Sequence, residues 1–181
     1  VEAELKTGEN TSSATFEAAV GTATDYYAVY PASETASMAD GVITVTLPAN
    51  QDGSFGAGHV AVAKAADKTF TFTNVNAFLK MTFASAKYTR IVVESVGGQV
   101  LAGDLTVTFA DGAAVIGSTY ANTSSTVEVT SDEAFAAGDL YISVLPGVTH
   151  TQGVLVSCYN GAEKVGAYLV DKQVITEPSV T

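Results

Sequence analysis

The sequence contains few of the residues from which reactive sites are built. Its 181 residues include one cysteine, two histidines, one arginine and no tryptophan. The single cysteine, Cys158, cannot form an internal disulfide, and its alternation with Val154 and Val156 predicts a buried thiol that packs as an apolar group. No basic residue or helix start lies near it in the sequence to lower its pKa, so we expect no reactive thiol.

The shortage of basic residues argues against nucleic acid as a partner. Lysine and arginine together number 8 against 19 aspartates and glutamates, which gives a net charge of −11 and leaves Arg90 as the only arginine. Affinity for phosphates depends on lysine and arginine side chains. We therefore expect no nucleic-acid partner.

Histidines and acidic residues do not form a recognisable catalytic or metal-binding pattern. His59, at a predicted loop-to-strand junction, and His150 have no second histidine or cysteine at ligand spacing. P-loop, GxGxxG, HExxH, GxSxG, CxxC and calcium-loop motifs are absent from the sequence. Asp132 and Glu133 follow Ser131, a residue typical of helix N-caps, and dipole compensation explains them without catalysis. The sequence predicts no catalytic residue, no metal and no cofactor.

Long apolar runs are also missing. No stretch approaches the ~18 to 20 residues of a membrane-spanning helix, and the opening residues VEAE do not resemble a signal peptide. We expect no transmembrane segment, and either a cytosolic protein or one whose leader precedes the first residue.

What the sequence does contain is an alternation of apolar and polar residues with a period of two, which is most regular over residues 68–109. Its apolar positions are Phe70, Phe72, Leu79, Met81, Phe83, Ile91, Val92, Val93, Leu105, Val107 and Phe109. Threonines and lysines lie between many of them. This pattern predicts about four strands, each with one buried face, joined by short turns.

Similar segments continue along the rest of the chain. Strands are predicted within 25–31, 41–51, 59–65, 125–130, 139–146, 153–160 and 162–172. Asn160-Gly161 predicts a hairpin between the last two of these. Short helical turns are expected in residues 33–40, with a loop as the alternative, and after Ser131, with Gly138 at the helix exit. About ten to twelve strands at this spacing predict an all-β fold, an antiparallel β-sandwich with one or two short helical turns.

Three regions are expected along the chain. Residues 1–24 form an N-terminal strand region, with candidate strands in 1–7 and 14–20 separated by GENTSS, and it is either part of the sandwich or an assembly segment. Residues 25–171 form the β-sandwich domain. Residues 172–181 form a polar C-terminal tail that contains Pro178.

The succession DYYAVYP, GVITVTLPANQ, VAVAKA, FTFTNVNAFLKMTF and GGQVLAGDLTVTF resembles the fimbrillin-like proteins of Bacteroides-type anaerobic bacteria. These are subunits and accessory proteins of surface fimbriae. The resemblance covers residues 25–146, including DLYISVLPG, and rests on the order and spacing of these segments, since no single motif is specific.

The resemblance implies a transthyretin-like, Greek-key sandwich and a non-catalytic fimbrial subunit or fimbria-associated adhesion protein. It also implies export to the cell surface, outer membrane or fimbrium through a lipoprotein leader absent from this chain. The implied partners are other fimbrial subunits, joined by addition of an extended strand; the surface ligand stays open. The sequence departs from this family in two ways. Polymerising members are cleaved after an arginine near the N-terminus, whereas Arg90 is far from it. The lipid-bearing cysteine of the precursor is also absent.

Two other functions are compatible with a β-sandwich, because this architecture supports many activities. A secreted carbohydrate-binding module would use Tyr26 and Tyr30, with Tyr27 nearby, as an aromatic platform, although a strand core explains these tyrosines as well. A hydrolase with paired carboxylates would need a deep pocket with two converging acids.

Overall fold

The computed structural model describes residues 1, 3–7, 15–32, 35–53 and 58–177. It confirms the all-β prediction, with 56% of residues in strands and 1% in helix, arranged in several antiparallel sheets. The strands are β1 (Glu4–Thr7), β2 (Thr15–Glu17), β3 (Tyr26–Tyr30), β4 (Ser37–Ala39), β5 (Val42–Leu47), β6 (Asn50–Gln51), β7 (Ala61–Ala65), β8 (Thr73–Asn74), β9 (Ala77–Phe83), β10 (Arg90–Ser95), β11 (Ala102–Ala110), β12 (Ala113–Ile116), β13 (Ala121–Ser124), β14 (Thr126–Thr130), β15 (Gly138–Val144), β16 (Val148–His150), β17 (Val154–Asn160), β18 (Glu163–Val170) and β19 (Val174–Thr176).

One layer of the sandwich consists of two larger sheets. Strands pair in the order β12-β11-β5-β4 in the first, where β13 also pairs with β11, and in the order β18-β17-β10-β14-β6 in the second. The chain passes from one sheet to the other through Pro48 and Ala49, between β5 and β6. The short β6–β14 ladder is parallel, whereas the other ladders formed by these strands are antiparallel.

The opposite layer consists of the sheet β3-β7-β8 and the pair β9-β15. Only Val75 and Asn76 separate β8 from β9, so one nearly continuous segment serves both sheets. Two further pairs, β1-β2 and β16-β19, form separate two-stranded sheets.

Two apolar cores lie between the layers. The first core is formed by β9, β10, β14, β15 and β17, and its members include Ile91, Val93, Val127, Ile142 and Val156. The second core is formed by β5, β7 and β11 with two flanking residues, and its members include Ile43, Val45, Val62, Leu105 and Leu145. In β5 the alternation is complete, since Ile43, Val45 and Leu47 are buried and the residues between them are half-buried. The period of two seen in the sequence therefore selects the faces that form the cores.

The two predicted helical turns are wrong. Of the described residues 35–40, Ser37–Ala39 form the strand β4, which pairs with Val42 to Thr44 of β5. After Ser131 the chain forms bends; the Ser131 hydroxyl accepts a hydrogen bond of 3.3 Å from the Glu133 amide, as a cap would, but no helix follows. The Ser131 and Phe135 amides donate instead to Thr89 and Tyr88 carbonyls, at 2.9 and 2.8 Å. These tertiary bonds replace the first turn of a helix.

Three other predictions need correction or completion. Phe70 and Phe72 do not lie in a strand, because β8 begins at Thr73. The segment interpreted as a polar tail contains β19, which pairs with β16. Candidate strands near the N-terminus are present as β1 and β2, which pair with each other, whereas the GENTSS segment between them lies outside the described residues.

The predicted hairpin between β17 and β18 is confirmed, with the strands antiparallel from Val154↔Val170 to Asn160↔Glu163. Its turn lies one residue later than Asn160-Gly161: Asn160 ends β17, the turn residues are Gly161 and Ala162, and Gly161 has a positive φ of 58°. Cys158, on β17, is half-buried rather than fully buried, and burial raises the pKa of its thiol.

Candidate functional site

A cleft of about 590 Å³ lies between the two layers. One wall comes from β3 and the segment before β7, and the other from β5, β6 and the residues that join them. Its lining residues are Val29, Pro31, Ala32, Thr35, Val45, Thr46, Leu47, Pro48, Asn50, Gln51, Asp52, Gly58, Val60 and Ser143. Seven of these are valine, leucine, alanine or proline, so the cleft offers an apolar interior with polar groups mainly near β6.

Both strands beside the cleft have an edge with no paired strand among the described residues. β3 pairs only with β7. β5 pairs with β11 along Ile43 to Leu47, but β4 covers its other edge only from Val42 to Thr44. No described strand pairs with the backbone edge of Val45 to Leu47 on that side, and an unpaired edge of this kind can act as a template for an incoming strand.

The Gln51 side chain fixes the inner end of the cleft. Its amide nitrogen donates to the Ser143 carbonyl oxygen at 2.8 Å, and its amide oxygen accepts from the Ser143 backbone amide at 3.0 Å. The side chain thus satisfies both backbone groups of one β15 residue, as a neighbouring strand would. This pair of bonds joins β6 to the opposite layer and keeps the walls of the cleft at a fixed separation.

An ion pair holds β3 in place on its covered side. Lys64 Nζ lies 3.1 Å from the Asp25 carboxylate and 5.6 Å from the centre of the Tyr27 ring. The hydrogen bond with Asp25 raises the pKa of Lys64, so the ammonium keeps its charge throughout the physiological range. This ion pair adds to the β3–β7 ladder, and Val29 of β3 lines the cleft.

The two tyrosines predicted as ligand-binding residues lie on the same face of β3 but differ in surroundings. Tyr26 is half-buried: its hydroxyl donates to Gly21 O at 2.9 Å and accepts from the Ala23 amide at 3.1 Å, and Lys68 Nζ lies 5.2 Å from its ring centre. Tyr30 is 47% exposed. The two residues are four apart in an extended strand, about 13 Å between Cα atoms, so they do not form one contiguous platform.

An exposed aromatic pair does form at Tyr30, with a residue that sequence reasoning did not select. The Phe72 ring lies 6.4 Å from the Tyr30 ring at an interplanar angle of 69°, and Phe70 continues the cluster at 6.2 Å from Phe72. Alternating phenylalanines in 68–73 were the available signal, but they suggested a strand with a buried face.

The remaining candidate residues are separated from one another. His59 is half-buried with its ring 5.9 Å from that of Phe78, whereas His150 is fully buried with Nδ1 2.9 Å from Ser95 Oγ. Burial lowers the pKa of His150, so its imidazole is neutral. Asp132 and Glu133 are both exposed. Within the described part of the chain no group of three or more histidine, cysteine, aspartate or glutamate residues could hold a metal ion.

The described residues include no helix long and apolar enough to cross a membrane. Comparison of the chain with protein-family models, with curated proteins and with solved structures finds no match.

Cleft residues were not selected from the sequence. Pro31 and Pro48, which directly follow β3 and β5, both line the cleft. The alternation of Ile43, Val45 and Leu47 predicts a buried face, but it carries no information on whether each backbone edge has a neighbour.

Proposed function

We propose that this chain is a non-catalytic cell-surface subunit, fimbrial or fimbria-associated, that joins a neighbouring subunit by accepting an extended strand in the cleft between β3 and β5. The observation that carries the proposal is the coincidence of the apolar cleft with the open backbone edge of Val45 to Leu47. Backbone hydrogen bonds along such an edge supply affinity, while apolar side chains entering the cleft fix the register. The likeness of residues 25–146 to fimbrillin-like proteins supports the same function.

The partner expected from this geometry is an extended segment with alternating apolar side chains. Synthetic peptides of residues 1–20 and 171–181 are suitable probes, because they represent the two ends of a neighbouring copy. Saturable binding of either peptide to the full chain, measured by fluorescence anisotropy, is the expected result. Peptide binding is used rather than particle size, so that association through other surfaces does not affect the outcome.

A variant of the cleft lining tests whether the peptide binds there. Ala32 is exposed and lines the cleft, so Ala32→Arg places a long charged side chain in the path of the strand without removing a core group. Ala113→Arg, on the exposed edge strand β12, is the matched control. Binding should be lost in the first variant and kept in the second. The proposal fails if neither peptide binds the unmodified chain, or if both variants bind as it does.

A carbohydrate-binding module is the second candidate, and the exposed Tyr30–Phe72 pair favours it. Aromatic rings present large, rigid apolar faces on which a sugar ring can stack. Saturable binding on a glycan array that is lost on Tyr30→Ala and on Phe72→Ala, but kept in Ala32→Arg, would support this function over strand addition. Absence of saturable glycan binding would exclude it.

A further inference from the structure

Asn160-Gly161 is the only asparagine–glycine pair in the sequence. Both residues are exposed, and they lie where β17 ends and the turn to β18 begins. Such a pair can react with itself, because the backbone nitrogen of the second residue can attack the side-chain amide carbon of the asparagine. Glycine favours the attack, since no Cβ hinders the approach and its backbone reorients freely. The end of β17 therefore carries both reacting groups on adjacent residues.

The reaction needs only water. The Gly161 nitrogen gives its proton to solvent base and forms a bond with Cγ of Asn160. The bond from Cγ to the side-chain nitrogen breaks, and that nitrogen takes up a proton and leaves as ammonia. Water then opens the resulting succinimide ring at either of its carbonyls, which gives aspartate or isoaspartate at position 160.

Thr89 restrains the attacking nitrogen. Its hydroxyl oxygen accepts a hydrogen bond of 2.8 Å from the Gly161 amide, and its own amide donates to the Tyr159 carbonyl at 3.0 Å. The Gly161 N–H is the group that must lose its proton and turn toward the Asn160 side chain. While this N–H donates to Thr89, its nitrogen is not free to attack, so the hydrogen bond must break before the reaction.

The ladder between β17 and β18 adds a second restraint. Asn160 lies opposite Glu163 at the end of this ladder, which keeps its backbone extended. The side chains of a strand stand roughly perpendicular to the sheet rather than along the chain. Attack requires the Asn160 amide carbon to be aligned with the next backbone nitrogen, so the strand conformation opposes the same step that the Thr89 bond opposes.

We propose that Asn160 is a site of spontaneous deamidation whose rate is set by the hydroxyl of Thr89, so that conversion occurs when the hydrogen bond between Thr89 and Gly161 breaks. The product carries one more negative charge in a chain whose net charge is −11. This charge lies directly opposite Glu163, where two like charges destabilise a ladder. Deamidation therefore weakens the hairpin at the edge of the five-stranded sheet.

The site is separate from the cleft between β3 and β5, and it does not depend on the function proposed for that cleft. The modification follows from the chemistry of the turn alone, so it takes place in the purified chain and needs no partner.

Removal of the hydroxyl tests the role of Thr89. Thr89→Val keeps the shape of the side chain but lacks the hydrogen-bond acceptor, so deamidation at Asn160 should be about three- to tenfold faster. Thr89→Ala lacks the acceptor as well and should show the same direction. Thr89→Ser keeps a hydroxyl and is the matched control, with a rate within about twofold of that of the unmodified chain. Full-length chains are incubated at mildly alkaline pH, and mass spectrometry of proteolytic fragments follows the conversion of amide to carboxylate.

A short peptide gives the rate of the unrestrained pair. Residues 159–164 with blocked termini are too short to form a stable hairpin in water. Asn160 should therefore convert at least about tenfold faster in this peptide than in the folded chain. In the full chain unfolded by urea, the rate should approach that of the peptide.

Two controls identify the modified residue. Asn160→Gln moves the side-chain amide one methylene further from the Gly161 nitrogen, so no conversion should be found in this turn. Asn122 is also exposed, but it precedes Thr123, whose branched side chain crowds the backbone nitrogen, so Asn122 should stay unchanged over the same period.

Three results would overturn the proposal. The first is a folded chain that converts as fast as the peptide. The second is that neither Thr89→Val nor Thr89→Ala converts faster than Thr89→Ser. The third is a conversion in the turn that persists in Asn160→Gln. Circular dichroism of each variant before incubation verifies that the compared chains are folded.

Discussion

Asn76 donates a hydrogen bond of 2.9 Å to the Ser143 hydroxyl in the interior of the sandwich, where both residues are buried. The Asn76 amide also accepts from the Val60 amide at 2.9 Å and donates to the carbonyls of Gly58 and Ala77, at 3.1 and 3.2 Å. One side chain therefore connects β15 with the segments that enter β7 and β9, next to the inner end of the cleft.

Replacement of Asn76 by alanine should lower the free energy of unfolding by about 2 to 4 kcal/mol, because the Val60 amide and two carbonyls lose a buried partner. Ser143→Ala is the control and should cost only about 1 kcal/mol, since Asn76 keeps two carbonyl acceptors for its two N–H groups. Urea denaturation at constant pH measures both values. Equal losses in the two variants would show that the wider network adds nothing to the Asn76–Ser143 bond.

Stability should decline as the pH falls below about 6.5, because His150 is fully buried and its Nε2 has no hydrogen-bond partner among the described residues. Burial lowers its pKa in the folded state below the ordinary 6.5. The unfolded chain therefore takes up a proton more readily, so the stabilisation is complete above that value and is lost on acidification through the folded pKa. Denaturation midpoints measured from about pH 7.5 to about pH 5.5 should show this decline.

His150→Gln should flatten that dependence. Hydrogen bonds with Lys80 and Thr82 lower the pKa of Asp139 below its ordinary 3.8, so its contribution to stability is lost mainly at pH values below this range. If stability depends on pH as steeply in His150→Gln as in the unmodified chain, groups other than His150 cause the decline.

Gly153→Ala should be far more destabilising than Gly161→Ala. Both glycines have positive φ, 77° and 58°, so both substitutions carry the cost of a left-handed residue, about 1 kcal/mol. A Cβ at Gly153 would in addition overlap the Val170 carbonyl oxygen, whereas nothing lies within 4 Å of a Cβ at Gly161. We expect a total loss of at least about 3 kcal/mol at Gly153. Similar thermal midpoints for the two variants would contradict this.

Arg90→Lys should destabilise more than Glu128→Gln. The Arg90 guanidinium lies 3.7 Å from the Tyr159 ring centre and its Nη1 is 3.1 Å from Glu128 Oε2. Both side chains are about one-third exposed, so solvent screening limits the ion pair to under about 0.5 kcal/mol. Loss of the planar stacking contact should cost about 1 kcal/mol although the charge is kept. Chemical denaturation of the two variants gives the order, and the reverse order would assign the stability to the ion pair.

Local sequence patterns are sufficient to predict a strand or hairpin where neighbouring residues determine both the apolar alternation and the turn. In β9, Leu79, Met81 and Phe83 are half-buried while Lys80 and Thr82 are exposed, as the alternation predicts. The hairpin between β17 and β18 follows from the backbone freedom that its turn requires at Gly161.

Prediction fails where distant partners determine the conformation. Phe70 and Phe72 have the period of a strand, but they lie outside any strand, and their rings pack in a cluster with that of Tyr30. After Ser131 the cap residue is present, yet backbone amides bond to Tyr88 and Thr89, because a helix of one or two turns gains too little to nucleate alone.

The candidate cleft could not be predicted for a related reason. Alternation in β5 identifies which side chains are buried, but the edge opened at Val45 to Leu47 depends on where β4 stops pairing. That limit is a long-range property of the assembled sheets. The position of β18 is also a long-range property: its sequence predicts a strand, but not that this strand lies at the edge of the five-stranded sheet.

Several segments contribute residues to both cores, so the chain passes from one core to the other within a strand or between adjacent residues. Val144 belongs to the first core and Leu145 to the second, and the same transition occurs between Ala102 and Leu105 in β11 and between Val75 and Ala77. Releasing one core therefore pulls directly on residues buried in the other through one to three peptide units. Heating should melt the chain in one cooperative step, with coincident transitions by different probes, and a half-folded species that keeps a single intact lobe should not accumulate.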